Sequence, residues 1–339
     1  MPVTIKDVAK LAGVSASTVS RTCSDHPSIS RQTKEKVRKA MQELGYEPNN
    51  SNMTMQETKT IGIVLPVSIS DAYENSFYLE MMRGITLFCN KKKYATTLIT
   101  GATNEELLST IKYMNKENLL DGLILLYSNE WDPIVDYLYQ EGIIFVLIGT
   151  ARKFTNETIY IDNDNITAAR EATNYLLELG HKKIGYLGTD SNRVFSSDRK
   201  SGYMLALAEK GIAIRPEYCI EMLSIPKGQS KMLQKLLSSD DRPTAVLVSD
   251  DILAMVLEQT AVMLGLKIPE DLSIVSFNNS LFARLTSPQL TSIDINAQQL
   301  GIEAASQIIN HIENPALLAT KIIVPHFMVE RESCTTCKS

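Results

Sequence analysis

Two doubly wound α/β lobes behind a small all-α helix-turn-helix unit is the fold class this sequence predicts. Three observations carry it. From Thr60 onward, short apolar runs of the kind that form buried strands alternate with helix-length segments, and the rhythm occurs twice. The opening residues hold three short apolar-periodic segments punctuated by glycine and capping residues. Charge divides at the same place: residues 1–48 sum to +3, against -5 for the whole chain, which leaves -8 on the remainder. A basic unit on an acidic body suggests a module that faces nucleic acid.

The first segment, Thr4 to Ala12, opens with Thr4-x-x-Asp7, a capping box in which a hydroxyl and an acid serve each other's free amides. Val8, Ala9, Leu11 and Ala12 give it an apolar face. Gly13 ends it, because the turn favours a residue tolerant of positive φ. Ser15 can cap a second helix anchored by Val19. Ser30 or Thr33 can cap a third, in which Val37, Ala40, Met41 and Leu44 recur at helical spacing before Gly45. Three short helices with a tight turn between the first two describe a helix-turn-helix. Its second helix would enter a major groove with Ala16, Ser17, Thr18, Ser20 and Arg21 leading, and Arg21 can fork onto a guanine edge. The same pattern also fits a helical cap with no DNA role.

Residues 49–59, NNSNMTMQETK, are polar and read as a linker. Beyond it, IGIVLP, ATTLIT, DGLILLY and IIFVLIG alternate with helices expected near 77–92, 104–117 and 132–141. KIGYLG, AVLVS and LSIVSF then alternate with helices expected near 165–179, 199–210 and 251–264. Two lobes with a cleft between them follow, with ligands at the carboxyl ends of the strands. There, Asp71, Tyr73, Asn75, Phe77 and Tyr78 combine aromatic faces with polar tips, the mixture a sugar requires. Phe77 and Tyr78 equally suit ordinary core packing. Asp162 and Asn163 sit at a lobe boundary and fit either a ligand or a hinge role.

Several classes are excluded. No G-x-x-x-x-G-K-[ST], H-E-x-x-H or G-x-S-x-G occurs, and the four histidines are scattered, so no catalytic set, cofactor or metal is expected. His181 follows a helix-ending glycine and suits a capping role. Cys334 and Cys337 form a lone C-x-x-C near the end, short of four zinc ligands, on a tail expected to fray. The first ten residues are too charged for a signal-peptide core, and no run of about 18 apolar residues could span a membrane. Five irregularly spaced cysteines suggest a reducing cytosol, hence a cytoplasmic protein.

VTIKDVAKLAGVSASTVSR, followed by ISRQTKEKVRKAMQELGYEPN, resembles the headpiece of the lactose/galactose-repressor family of transcription regulators. TIGIVLP, RGI, DGLILL, IDNDN, LGHKKIGYLG, DRKSGYMLAL, AVLVSDDILAM, LSIVSFNN and PQLTSIDIN follow in that family's order. The resemblance implies a periplasmic-binding-protein-like core crossed three times by the chain, near 161, 291 and 323. It implies a headpiece at 1–48, a hinge at 49–59, one subdomain at 60–160 plus 292–323 and another at 162–290 plus 324–332. It also implies that the hinge folds on operator DNA and wedges Met55 into the minor groove, although Asn52-Met53 stand where an Ala-Arg pair is usual. Thr4, Ser15, Ser30 and Asn49 join Ala16, Ser17, Thr18, Ser20 and Arg21 on the DNA side. Arg199, a less constant Arg193, Asp250 and Asn278 match effector-contacting positions, with Asn278 replacing a frequent Asp; Asp251 suits an N-cap or lobe contact.

Within the family, SDAYENSFY…RGI together with IDNDN is most similar to regulators of maltose operons in low-GC Gram-positive bacteria. That implies a sugar-released repressor with maltose or a maltodextrin as effector. A homodimer on near-palindromic double-stranded DNA is expected, and no Leu-rich heptad run follows residue 330 to supply a coiled-coil tetramer module. A global catabolite regulator with a phosphoprotein co-repressor, a sugar-binding protein without a DNA role and a sugar-processing enzyme are the rivals.

Overall fold

The computed structural model describes residues 3–23, 29–46, 59–67, 75–223 and 230–337. Three helices come first: α1 (Ile5–Ala12), α2 (Ala16–Cys23) and α3 (Arg31–Leu44). The amide and hydroxyl of Thr4 both donate to the Asp7 carboxylate, at 2.8 and 2.6 Å. Ser15 accepts from the Thr18 amide and Ser30 from the Thr33 amide, so Ser30 rather than Thr33 caps α3. Gly13 and Gly45 take φ of +66° and +61°, the left-handed region that favours glycine. Val8, Ala9, Val19, Val37 and Ala40 close a small core between the helices.

The first lobe carries β1 (Thr60–Val64), α4 (Ser76–Lys91), β2 (Ala95–Ile99), α5 (Asn104–Lys116), β3 (Gly122–Leu125), α6 (Pro133–Glu141), β4 (Phe145–Ile148) and β5 (Ile159–Asp162). The second carries α7 (Asn165–Glu178), β6 (Ile184–Gly188), α8 (Val194–Glu209), β7 (Cys219–Glu221), α9 (Lys231–Leu237), β8 (Ala245–Val248), α10 (Asp251–Met263), β9 (Ser273–Phe277), α11 (Leu281–Leu285) and β10 (Thr291–Asp294). Then α12 (Ala297–Glu313) and β11 (Lys321–Ile323) return to the first lobe, and β12 (Phe327–Val329) to the second.

The first sheet runs β11-β5-β4-β3-β1-β2, parallel throughout; the second runs β12-β10-β9-β8-β6-β7, with only β12 antiparallel. Strand order therefore reverses between β1 and β3 in one lobe and between β6 and β8 in the other. Those reversals open crevices at the strands' carboxyl ends. Strands β3, β4 and β8 are buried along their whole length, which is why they read as unbroken apolar runs with little alternation. Helix α4 lies against α12 at closest approach where glycines meet backbone. A Cβ on Gly84 would sit 2.1 Å from the Gln298 carbonyl oxygen, and one on Gly301 2.2 Å from that of Met81.

Four expectations are corrected. The second crossing falls after β10, not near 291: β10 pairs inside the second sheet, so that lobe runs on past 290. The first lobe likewise keeps β5 through Asp162, two residues beyond the expected 160. Helix α8 begins at Val194 rather than near 199, because Val194 is buried and its amide donates to the Ser128 carbonyl of the other lobe. The tail is packed through Cys337 rather than frayed or ending at 332. Ser333 accepts from the Thr291 amide and donates to the Ile274 carbonyl, and the Cys337 amide donates to the Leu179 carbonyl.

His181 explains part of that tail. Its amide does bond the Leu176 carbonyl at the helix end, but its buried ring bridges Thr244 Oγ1 (2.9 Å) and the Thr335 carbonyl (3.0 Å). Cys334 packs beside the second-lobe core, and burial pushes its thiol up to about 11. Among the described residues no helix is long and apolar enough to cross a membrane.

Candidate functional site

The crevices of the two lobes face each other across one cavity. Its lining includes Asn75, Phe77, Tyr78, Asp162, Arg193, Arg199, Asp250 and Asn278, all singled out from sequence. Asp71 and Tyr73 lie outside the described residues, as do Asn49, Met55 and all of the expected hinge except Lys59.

Each polar group is placed by the end of a strand or helix. Asn75 caps α4 by accepting from the Phe77 amide (3.0 Å), and its amide group reaches across the cleft to Asp250 (2.9 Å). Asp250 follows β8 and caps α10 through the Ile252 amide (2.7 Å). Its second oxygen accepts from Asn75 and from Asn278, the latter at 2.8 Å. Burial, helped by the neighbouring Asp251 charge, pushes the Asp250 carboxyl up to about 6. Asn278 reaches it from a left-handed backbone, φ +98°, at the end of β9. The cap thus belongs to Asp250. Asp251 instead turns inward and accepts from Ser276, Ser292 and the Ser280 amide, which ties β9, β10 and the start of α11 together.

Arg199 is the buried cation of the site, 3 % exposed. It donates from Nε to Asn165 Oδ1 (2.9 Å) and from Nη1 to the Ser249 carbonyl (2.7 Å). The rings of Phe277 and Phe195 lie 4.0 and 4.9 Å from its guanidinium carbon. Burial lowers its pKa to about 10, still far above neutral pH, so it stays charged. A guanidinium has five N–H donors, which leaves donors for a ligand. Arg193 lies over the Tyr127 ring, and its Nη1 is buried without a hydrogen-bond partner among the described residues. A native protein seldom leaves such an atom unpaired, and Arg193 lines the cavity, so this group is a candidate to meet a ligand. The Tyr127 hydroxyl is buried beside the Asp132 carboxylate.

Asp162 lines the cavity, but its carboxylate is already held by Thr150 (2.7 and 2.8 Å), the Asn163 amide and Asn165. Asn163 is the hinge staple. Its amide group donates to the carbonyls of Ile295 (3.0 Å) and Val324 (2.8 Å), so one side chain joins all three crossings. Tyr127, Ser128 and Phe195 also line the cavity and escaped sequence reading. Tyr127-Ser128 directly follow the DGLILL strand, so the strand-end rule could have found them; Phe195 sits one turn before Arg199.

With two arginines set against Asp250 and Asp162, the cavity suits a neutral ligand. Aromatic rings beside amides and a carboxylate suit one whose faces are apolar and whose edges are hydroxyls. The enclosed space is about 60 Å³, room for a few waters, so a sugar enters only if the lobes part.

On the headpiece, Thr4, Ser15 and Ser30 spend side-chain oxygens on helix caps, and Ala16 is half-buried beside the three-helix core. The Thr18 hydroxyl pairs with that of Ser15 at 2.9 Å. Ser17 lies within α2. Ser20 is exposed; Arg21 lies 5.8 Å from the Tyr139 ring of the first lobe, a contact it must leave to reach a base edge.

Together these features define a ligand-responsive, two-lobed protein with a helix-turn-helix headpiece. Residues 4–49 match the model of bacterial regulatory proteins of the lacI family, and residues 173–334 that of a periplasmic binding protein-like domain. The transcriptional regulator MalR of Staphylococcus xylosus is 34% identical over 336 residues, 98% of each chain. Among solved structures, a LacI transcriptional regulator from Bacillus cereus subsp. cytotoxis is 37% identical with TM-score 0.79, covering 82% of this chain and 99% of that one. A CelR-cellobiose complex is 25% identical with TM-score 0.77, covering 98% and 100%. The chain belongs to the LacI family of bacterial transcriptional regulators.

Proposed function

We propose that the chain represses a maltose or maltodextrin operon as a cytoplasmic homodimer, and that the sugar releases it from operator DNA. The observation that carries this is the cleft cavity where Arg199, Arg193, Asp250, Asn75 and Asn278 converge with aromatic rings at the strand reversals of both lobes. Similarity to a MalR regulator and to a structure holding a disaccharide supports a two-ring neutral sugar. Leu79 and Leu87 on α4 and Leu281 and Leu285 on α11 are about half or more exposed, apolar surface on both lobes that a second subunit would cover.

The sugar acts by its differential affinity for two lobe arrangements, and a 100-fold loss of operator affinity needs about 2.7 kcal/mol of coupling. The polar segment 49–59 joins headpiece and first lobe in sequence, which suits it to carry such coupling between them. Gel shift with the chain's own upstream DNA tests this. Maltose should release the complex; tighter binding or no response overturns the reading.

Arg21 is expected to read a base. Arg21→Ala should cost about 1–3 kcal/mol of specific binding and relax preference at one operator position. Titration against operator variants checks it, and unchanged selectivity removes Arg21 from base readout.

A further inference from the structure

The lobes meet at more than the hinge. Residues 128–130, after β3, run antiparallel to residues 192–194, which lead into the first residue of α8. Asn129 and Arg193 form a bridge, the Val194 amide donates to the Ser128 carbonyl (3.1 Å), and the Glu130 amide donates to the Asn192 carbonyl (2.9 Å). Arg152, after β4, ties the pair together. Its Nε lies 3.1 Å from Glu130 of its own lobe and its Nη2 2.6 Å from Asp198 of the other. Ser128 and Arg193 also line the cavity, so this cross-lobe strap forms one of its walls.

We propose that the strap, held by Arg152 and Asp198, closes over the effector and sets the longest sugar that gives full closure. The inference rests on the cavity being a sugar site. The lobes part to admit the sugar, and a sugar short enough to lie within the cleft, once the lining side chains have shifted to widen the roughly 60 Å³ space, lets residues 128–130 pair again with 192–194. A longer chain leaving through this wall keeps them apart and forfeits both the backbone pairing and the ion pairs. Arg152 and Asp198 are positioning residues: they act on the ligand through the strap. Their side chains are 33 % and 16 % exposed, so the ion pair is partly screened and its effect is a modest factor.

The test uses the full chain, wild type, Asp198→Asn and Arg152→Gln. Without sugar, hydrogen exchange at the Glu130 and Val194 amides should be about fivefold faster in either variant, with the Ile124 amide in β3 unchanged. With sugar, dissociation is followed by fluorescence of Trp131, the chain's single tryptophan, which adjoins the strap and is 74% exposed. Wild type should release maltose more slowly than maltotetraose, and Asp198→Asn should erase that difference. Equal exchange at Glu130 and Val194 in all three proteins overturns the strap. So does length discrimination that survives in Asp198→Asn. Loosened strap amides in the variants, with no maltose uptake by wild type, would uphold the strap and remove the sugar reading instead.

Discussion

Arg199→Ala is expected to weaken maltose binding by 100-fold or more and to leave a repressor that stays on its operator in the presence of sugar. The side chain is the buried cation at the cavity wall, and its N–H donors can fork onto adjacent hydroxyls. Losing two charge-assisted hydrogen bonds costs about 3 kcal/mol, the equivalent of roughly 100-fold in affinity. The headpiece is untouched, so operator affinity without sugar should not change. Truncation also strands Asn165 Oδ1 and the Ser249 carbonyl, which can lower stability. Arg199→Gln, which keeps a donor near those acceptors, separates the two effects. Calorimetry with maltose and gel shift on both variants, with thermal melts as the fold check, decide the matter. Maltose release of a folded Arg199→Ala–operator complex at wild-type concentrations would rule Arg199 out.

Gly84→Ala should destabilise the first lobe by about 2 kcal/mol net. Two effects oppose. In an isolated helix, alanine is favoured over glycine by about 1 kcal/mol. Here the new methyl would meet the Gln298 carbonyl oxygen at 2.1 Å, an approach no real Cβ makes. The obstacle is the backbone of α12, so no side-chain rotation relieves it. Forcing α4 and α12 apart would loosen Met81, Ile85, Ala304 and Ala305, all fully buried, and overpacking of this kind costs about 3 kcal/mol. The packing term therefore wins. Urea unfolding should show the lower midpoint; an unchanged or raised midpoint would mean that the helices can separate at little cost.

The same glycine shows where sequence reading stops. RGI matches a family motif, and Gly84 lies in a helix-forming stretch. Nothing local says that it faces another helix more than two hundred residues away. The strands were legible because burial on both faces leaves unbroken apolar runs such as GLIL and AVLV. The headpiece was legible because caps are local: Thr4 with Asp7, Ser15 with Thr18, Gly13 and Gly45 at positive φ. The start of α8 was not. Polar Ser196, Ser197 and Asp198 weaken its periodicity, and a bond from the other lobe helps fix its first turn. The tail misled for a similar reason, since Ser333 and Cys337 are held by β9, β10 and α7, partners remote in sequence.

The sequence by itself determined the two-lobed parallel architecture, the helix-turn-helix opening, the family and most residues that gather in the cleft. Each follows from short-range pattern or from ordered motifs. Tertiary structure alone decided that Asn163 staples the three crossings, that Asp250 rather than Asp251 takes the cap, and that Arg152 reaches Asp198 across the lobes. Those are meetings of side chains whose partners lie far along the chain, and a linear pattern carries no record of which distant groups folding will bring within 3 Å.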